Sequence, residues 1–126
     1  ICGGGGGVPV AQRDQHLTGM PAVIDKDHFS SRLALDLQAD ALIISTDADA
    51  VYSDFATPDA KAHRMLTVAD IQSMDEQGQF PTGSMRPKLH ALCSFASASG
   101  GGKAVLCSPG NVLESLRGEG GTTIVG

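Results

Sequence analysis

The stretch PAVIDKDHFSSRLALDLQADALIISTDADAVY, residues 21–52, decides the fold. Phe29, Leu33 and Leu37 recur at i, i+4 and i+8, with Ala34 beside them, which predicts an amphipathic helix from about Asp27 to Ala39. Ala41 to Ser45 is an unbroken apolar run of strand length, as expected for a strand covered on both faces. The aspartate-rich segment after it, ending at Pro58, predicts a strand end, a short β segment at Val51–Tyr52 and a turn. Charge is packed at the helix start, in Asp25, Lys26 and Asp27, and again just past the strand, in Asp47 and Asp49.

Working outward, the same alternation continues. LTVADIQSMDEQG predicts a helix with Thr67 as N-cap, Asp70 three residues on and Gly78 at the C-terminal stop. A second helix follows, capped by Ser84, with Pro87 in its first turn and Met85, Leu89, Leu92 and Ala96 as its apolar stripe. GGGK at Gly100 to Lys103 is a turn, AVLCS a buried strand, PGNVLESLRG a short helix and GTTIVG a last strand. Upstream, residues 11 to 20 predict a loop or hairpin. Gly3 to Gly7, on composition alone, reads either as a linker or as a strand running into a loop with exposed backbone. Strands alternating with helices predict an α/β sandwich with a largely parallel sheet. Ligands of such sheets lie beyond the carboxyl ends of the strands, so the loops there and the helix starts become the candidate sites.

Composition narrows the function classes. The 126 residues suffice for one domain with one modest core, and 41% apolar with 18% charged residues is a globular balance. A net charge of -5 argues against a general nucleic-acid surface. No apolar run approaches the roughly 20 residues of a membrane helix, and the glycine-interrupted opening does not resemble a signal peptide. Cys2, Cys93 and Cys107 form no CxxC pair, so the expectation is reduced thiols and a cytoplasmic location. His16, His28, His63 and His90 have no zinc-like spacing with them, and no protein metal site is expected.

Lys88 and Arg86 lie in the first turn of a predicted helix, where unpaired N–H groups and the helix dipole favour an anion. The two cations read either as a solvated surface pair or, because they disfavour the helix unless something negative neutralises them, as holders of a bound phosphate or carboxylate. Asp25 and Asp27 are ordinary capping residues for the preceding helix, which leaves Lys26 between them to be explained. Asp47 and Asp49 read either as turn residues or as contacts to a nucleotide or its Mg²⁺. Neither a P-loop nor a dinucleotide fingerprint is present.

In order and spacing, CGGGGGVPV, AVIDKDHFSSRLALDLQADALIISTDADAVYSDF, GQFPTGSMRPK and GTTIV resemble the carboxyl-terminal half of carbamate kinase, of the amino-acid kinase family. AVIDKD, TDxDxVY and GSMxPK are the most specific parts, and the likeness covers nearly the whole chain. The resemblance implies a three-layer α/β/α sandwich with a mainly parallel sheet, residues 1–126 forming the carboxyl-terminal, nucleotide-binding lobe. It implies phosphoryl transfer between ATP and carbamate, giving ADP and carbamoyl phosphate, with Mg²⁺ carried by the nucleotide. It assigns Lys26, Asp27 and Lys88 to catalysis, Asp27 organising the two lysines. Thr46, Asp47, Tyr52, Met85 and Lys88 would bind the nucleotide, and Gly3, Gly4, Gly5 and Gly6 would form a loop facing the transferred group.

Two departures from the family pattern bear on activity. The amino-terminal lobe has no counterpart in this sequence, so a chain of this extent is expected to be inactive alone, with that lobe or a second copy in a homodimer as its partner. Arg86 stands where the family has glycine in GSMGPK, beside the expected phosphate path. Two further readings therefore accompany the kinase lobe: a non-catalytic adenine-nucleotide-binding or assembly module, and a carbamate-kinase-like protein with a different acceptor.

Overall fold

The computed structural model describes residues 2, 5–80 and 83–126. An antiparallel hairpin comes first, β1 (Val10–Arg13) with β2 (His16–Gly19). Helix α1 (Lys26–Asp36) begins on Asp25, whose Oδ1 accepts the N–H groups of Asp27 at 2.9 Å and His28 at 3.0 Å. Asp25 alone is therefore the cap, and the capping role expected for Asp27 as well is corrected. The helix also stops earlier than its apolar stripe predicts. Gln38 takes a left-handed φ of 53°, and the N–H groups of Gln38 and Ala39 return to the carbonyls of Leu35 and Ala34 in a Schellman closure. Leu37 is left exposed, and the buried face of α1 carries Asp27 and Ser31 instead.

Strand β3 (Ala41–Ser45) follows, then β4 (Val51–Ser53), β5 (Lys61–His63) and β6 (Met65–Thr67). The last two lie where no element was expected, because three-residue strands are too short to display alternation. Helix α2 (Val68–Glu76) opens on the anticipated Thr67, and the capping box is complete: Asp70 N–H donates to the Thr67 hydroxyl and Thr67 N–H to the Asp70 carboxylate. Gly78, at φ 73°, closes it. Helix α3 (Met85–Ala98), β7 (Lys103–Cys107), a 3-10 turn (Pro109–Asn111), α4 (Val112–Arg117) and β8 (Thr122–Val125) complete the chain. Ser84 precedes α3 but makes no side-chain cap bond, contrary to the sequence expectation.

The central sheet has the order β3-β7-β8-β6. β3 runs parallel to β7 and β6 parallel to β8, but β7 and β8 are antiparallel, and β4 pairs antiparallel with β5 in a separate ribbon. The mainly parallel sheet expected from the sequence is thus a mixed one. The cause lies in α4. Its six residues span about 9 Å, against about 16 Å for the five residues of β7, so α4 cannot carry the chain back along the strand it follows. The chain turns over at Gly118 and Gly121, both at positive φ, and β8 runs the other way.

Leu42, Ala104, Ile124 and Leu66 are register partners across the central sheet and form one apolar row. Against that row and the next, Ile44 and Leu106, packs α3 through Leu89, Leu92 and Phe95, all fully buried. Each such side chain contributes roughly 1.5–3 kcal/mol by leaving water. α1 lies beside α3, in contact with it and with β3. Val105 and Cys107 alternate with the inner residues of β7 and are equally buried, and α4 packs on that strand. Thr122, at 0% exposure, joins the ribbon to the sheet: its hydroxyl accepts the Val51 N–H and donates to the His63 carbonyl. The result is that the starts of α1 and α3 and the β4 ribbon meet on one side of the molecule.

Candidate functional site

Asp27 is 7% exposed although it sits in the first turn of a helix. Its Oδ2 accepts from Lys88 Nζ of α3 and from Lys26 Nζ of α1, each at 3.3 Å. Lys88 is also 7% exposed, and its ammonium makes a second bond, to the Ser84 carbonyl at 3.1 Å. The Lys26 side chain remains 58% exposed. One carboxylate thus holds two ammonium groups across the α1–α3 interface, one buried and one facing solvent, leaving an excess of positive charge. Lys26, Asp27 and Lys88, expected together from the sequence, are brought together here. The answer to Lys26 is that it shares the Asp27 carboxylate with Lys88.

Arg86 is placed differently from the sequence expectation. Its Nε lies 2.8 Å from Asp75 Oδ1 and 2.9 Å from Oδ2, and His90 Nε2 lies 3.0 Å from the same carboxylate. Arg86 therefore ties α3 to α2. Both cations at the start of α3 are paired with carboxylates of this chain, so neither by itself calls for a bound anion; the excess charge arises because Lys88 shares Asp27 with Lys26. Partial burial is the largest single influence on the Asp75 carboxyl and opposes its ionisation. The hydrogen bonds from Arg86 and His90, with their charges, together outweigh it and hold the group below the ordinary carboxylate range. A carboxylate depressed in the folded state lends stability that is present above its unfolded value, about pH 3.9, and is lost as pH falls through the lower folded value. The Tm difference between wild type and Asp75→Asn is accordingly expected to be present at pH 6–7 and to shrink below about pH 4; a difference that grew on acidification would refute the linkage.

Beside the start of α3 is an apolar cavity of about 200 Å³, walled by Ala50, Val51, Tyr52, Phe55, Phe80 and Met85. Gly83 and Ser84 complete its rim next to Lys88. Tyr52 and Phe55 meet edge to face, with ring centroids 6.0 Å apart. The Tyr52 hydroxyl donates to Asp49 at 3.0 Å, and this bond to a carboxylate raises the phenol above its usual range. A second, more open cavity of about 470 Å³ lies across Gly83, lined by Asp25, His28, Arg86, Pro87 and His90.

Of the residues the sequence assigned to a nucleotide, Tyr52 and Met85 wall the apolar cavity and Lys88 stands one helical turn from its rim. Thr46 and Asp47 do not line it. Thr46 N–H donates to the Cys107 carbonyl and extends the β3–β7 ladder, and Asp47 is exposed. Gly3 and Gly4 lie outside the described residues. Gly5 is open to solvent, whereas Gly6 is buried at φ 131°, and a Cβ there would sit 2.2 Å from the Ile24 carbonyl oxygen. That close approach brings the glycine loop to within three residues of Asp27 in sequence and requires glycine at position 6. Phe55, Gln79 and Phe80 were not anticipated; an aromatic three residues past a predicted strand was the available signal for Phe55. Cys2, Cys93 and Cys107 are all free, and burial pushes the Cys93 thiol up to about 11. Among the described residues no three His, Cys, Asp or Glu side chains converge to hold a metal, and no helix is long and apolar enough to cross a membrane.

The amino acid kinase family matches residues 1–108. The chain belongs to the amino acid kinase family. Within that family it is 44% identical over 125 residues to a carbamate kinase of Halobacterium salinarum, covering 99% of this chain and 40% of that protein. A carbamate kinase of Clostridium perfringens is 43% identical over the same length, again 40% of that protein. This amino acid kinase chain superposes on the carbamate kinase of Giardia lamblia bound to AMP-PNP with a TM-score of 0.88 at 33% identity, over 96% of this chain and 38% of that one. It therefore spans about 40% of the length of the carbamate kinases it matches. An Archaeoglobus fulgidus uridylate kinase, at a TM-score of 0.59 and 20% identity, shares the fold alone.

Proposed function

We propose that this chain is the nucleotide-binding, carboxyl-terminal lobe of a carbamate-kinase-like phosphotransferase, a three-layer α/β/α protein that moves a phosphoryl group between ATP and carbamate in the cytoplasm. One observation carries the reading: the buried Lys88, held by Asp27 beside Lys26, bonds the carbonyl of Ser84, a rim residue of the apolar cavity. An adenine base fits the cavity against Tyr52, Phe55 and Met85, and its phosphates then run past Ser84 toward Lys88 and Lys26. The relation to a Giardia kinase that binds AMP-PNP supports the same ligand class.

Phosphoryl transfer asks little covalent chemistry of a protein. It asks for in-line positioning and for cations around the charge that spreads over the transferred group. Asp27 fixes both ammonium groups before substrate arrives, so they need not reorganise during the reaction. The backbone N–H groups of the glycine loop, Gly3 to Gly6, would face the same group, and Thr46 and Asp47 would flank the nucleotide. Asp27 is already committed to two lysines, and among the described residues no three His, Cys, Asp or Glu side chains converge. Mg²⁺ is therefore proposed to arrive on the nucleotide phosphates, where it neutralises charge.

Calorimetric titration with ADP and adenosine tests this reading. ADP is expected to bind more tightly than adenosine, and the chain alone to make no ATP from ADP and carbamoyl phosphate at a useful rate, because the remainder of the transition-state contacts lies on another lobe. Absence of ADP binding would sink the nucleotide assignment. ADP binding with no turnover even when the lobe is supplied would favour a non-catalytic nucleotide-binding module.

A further inference from the structure

The loop that carries Phe55 over the apolar cavity is fastened by a side chain from elsewhere in the chain. Gln79, just past the end of α2, accepts the Asp54 N–H on Oε1 at 2.7 Å and donates from Nε2 to Asp54 Oδ1 at 3.2 Å. Both ends of the amide are used, across 25 residues of sequence. The loop needs such a fastening. Asp54 and Ala56 both hold left-handed φ values, 50° and 65°, which L-residues with a Cβ adopt at a cost. Among the described residues its remaining bonds are internal, the Thr57 N–H and hydroxyl both returning to the Asp54 carbonyl. The other end of the β4 segment is pinned by Thr122 through the Val51 N–H. Gln79 itself lines the cavity, so the fastening lies in the cavity wall.

We propose that Gln79 is a positioning residue: its two-point clasp on Asp54 sets the loop wall of the apolar cavity, and with it the affinity for the base of a bound nucleotide. The ligand in this statement rests on the nucleotide reading above; the clasp does not. Gln79 touches the loop rather than any phosphate path, so its effect falls on the base half of the ligand. Adenosine and ADP should therefore feel it equally, unlike a phosphate contact. Gln79→Glu keeps the acceptor for Asp54 N–H but turns a carboxylate oxygen toward the Asp54 carboxylate, and it separates the two bonds.

The test pairs a ligand-free measurement with a binding one, on the same chain. Exchange of the Asp54 amide proton, followed by NMR without ligand, is expected to accelerate by about an order of magnitude in Gln79→Ala and less in Gln79→Glu. Calorimetry is expected to show adenosine and ADP each weakened by roughly three- to tenfold in Gln79→Ala, with Tm little changed. Unchanged Asp54 exchange in Gln79→Ala overturns the clasp. Accelerated exchange with unchanged adenosine affinity overturns its role in binding, as does a loss confined to ADP. If the wild-type chain binds neither ligand, the nucleotide reading fails, and the exchange contrast still decides whether Gln79 holds the loop.

Discussion

Asp27→Asn is expected to lower the free energy of unfolding by about 3 kcal/mol, the lower end of what breaking a buried ion pair costs. Lys88 is 7% exposed, and without the carboxylate its ammonium keeps only the Ser84 carbonyl in a site largely out of water. Asn retains an oxygen, which places the effect at the low end. Capping does not enter, because Asp25 supplies it; Asp25→Ala is expected to cost about 1 kcal/mol, the scale of a lost N-cap. The double change Asp27→Asn with Lys88→Met removes the stranded charge and should recover most of the loss, a non-additivity readable in urea unfolding. A single variant as stable as wild type would mean that Asp27 does not hold Lys88 in solution. If the chain is joined to a second lobe as proposed above, the same Asp27→Asn change is expected to reduce kcat on the order of a hundredfold, by releasing both lysines from their prearranged positions.

Lys88→Met should weaken ADP by roughly 1–3 kcal/mol, the scale of a lost charge-assisted hydrogen bond, and leave adenosine nearly unchanged. The fold tolerates this change better than the loss of Asp27. Met keeps the apolar stem that packs along α3, and Asp27 remains paired with Lys26, which is in contact with solvent. The contrast between the two ligands separates a phosphate contact from a general defect. Equal weakening of ADP and adenosine, measured by calorimetry on a variant with a native unfolding transition, would return Lys88 to a structural role. Together with Gln79→Ala, which should weaken both ligands alike, it divides the site into a half that reads the base and a half that reads charge.

Much of this was readable from the chain alone, for definite reasons. α1, α2 and α3 announce themselves because a 3.6-residue apolar period and the Thr67–Asp70 capping box are local signals, complete within a dozen residues. The buried strands β3 and β7 are short apolar runs between turn residues, legible for the same reason. Lys26 and Lys88 could be singled out because positive charge at a helix start is unusual, and Asp27 because its place with them in IDKD and GSMRPK carried the family likeness.

What remained was set by pairs of residues far apart in sequence. The sense of β8 depends on how far α4 can carry the chain, a length that only matters once β7 is in place. Which aspartate caps and which binds lysine depends on where α3 lies against α1: Asp25 turns back to its own helix and Asp27 turns across to Lys88, 61 residues on. Arg86 reads as an anion-seeking cation until α2 brings Asp75 to it. Gln79 carries no signal at all, since a glutamine after a helix is ordinary until Asp54 arrives from 25 residues earlier. Sequence by itself determined the helices, the longer strands and which charges need a partner, but not the three-residue strands β5 and β6. Tertiary structure decided which partner each one took, because electrostatic and hydrogen-bond energies depend on distances of a few ångströms that no spacing along the chain specifies.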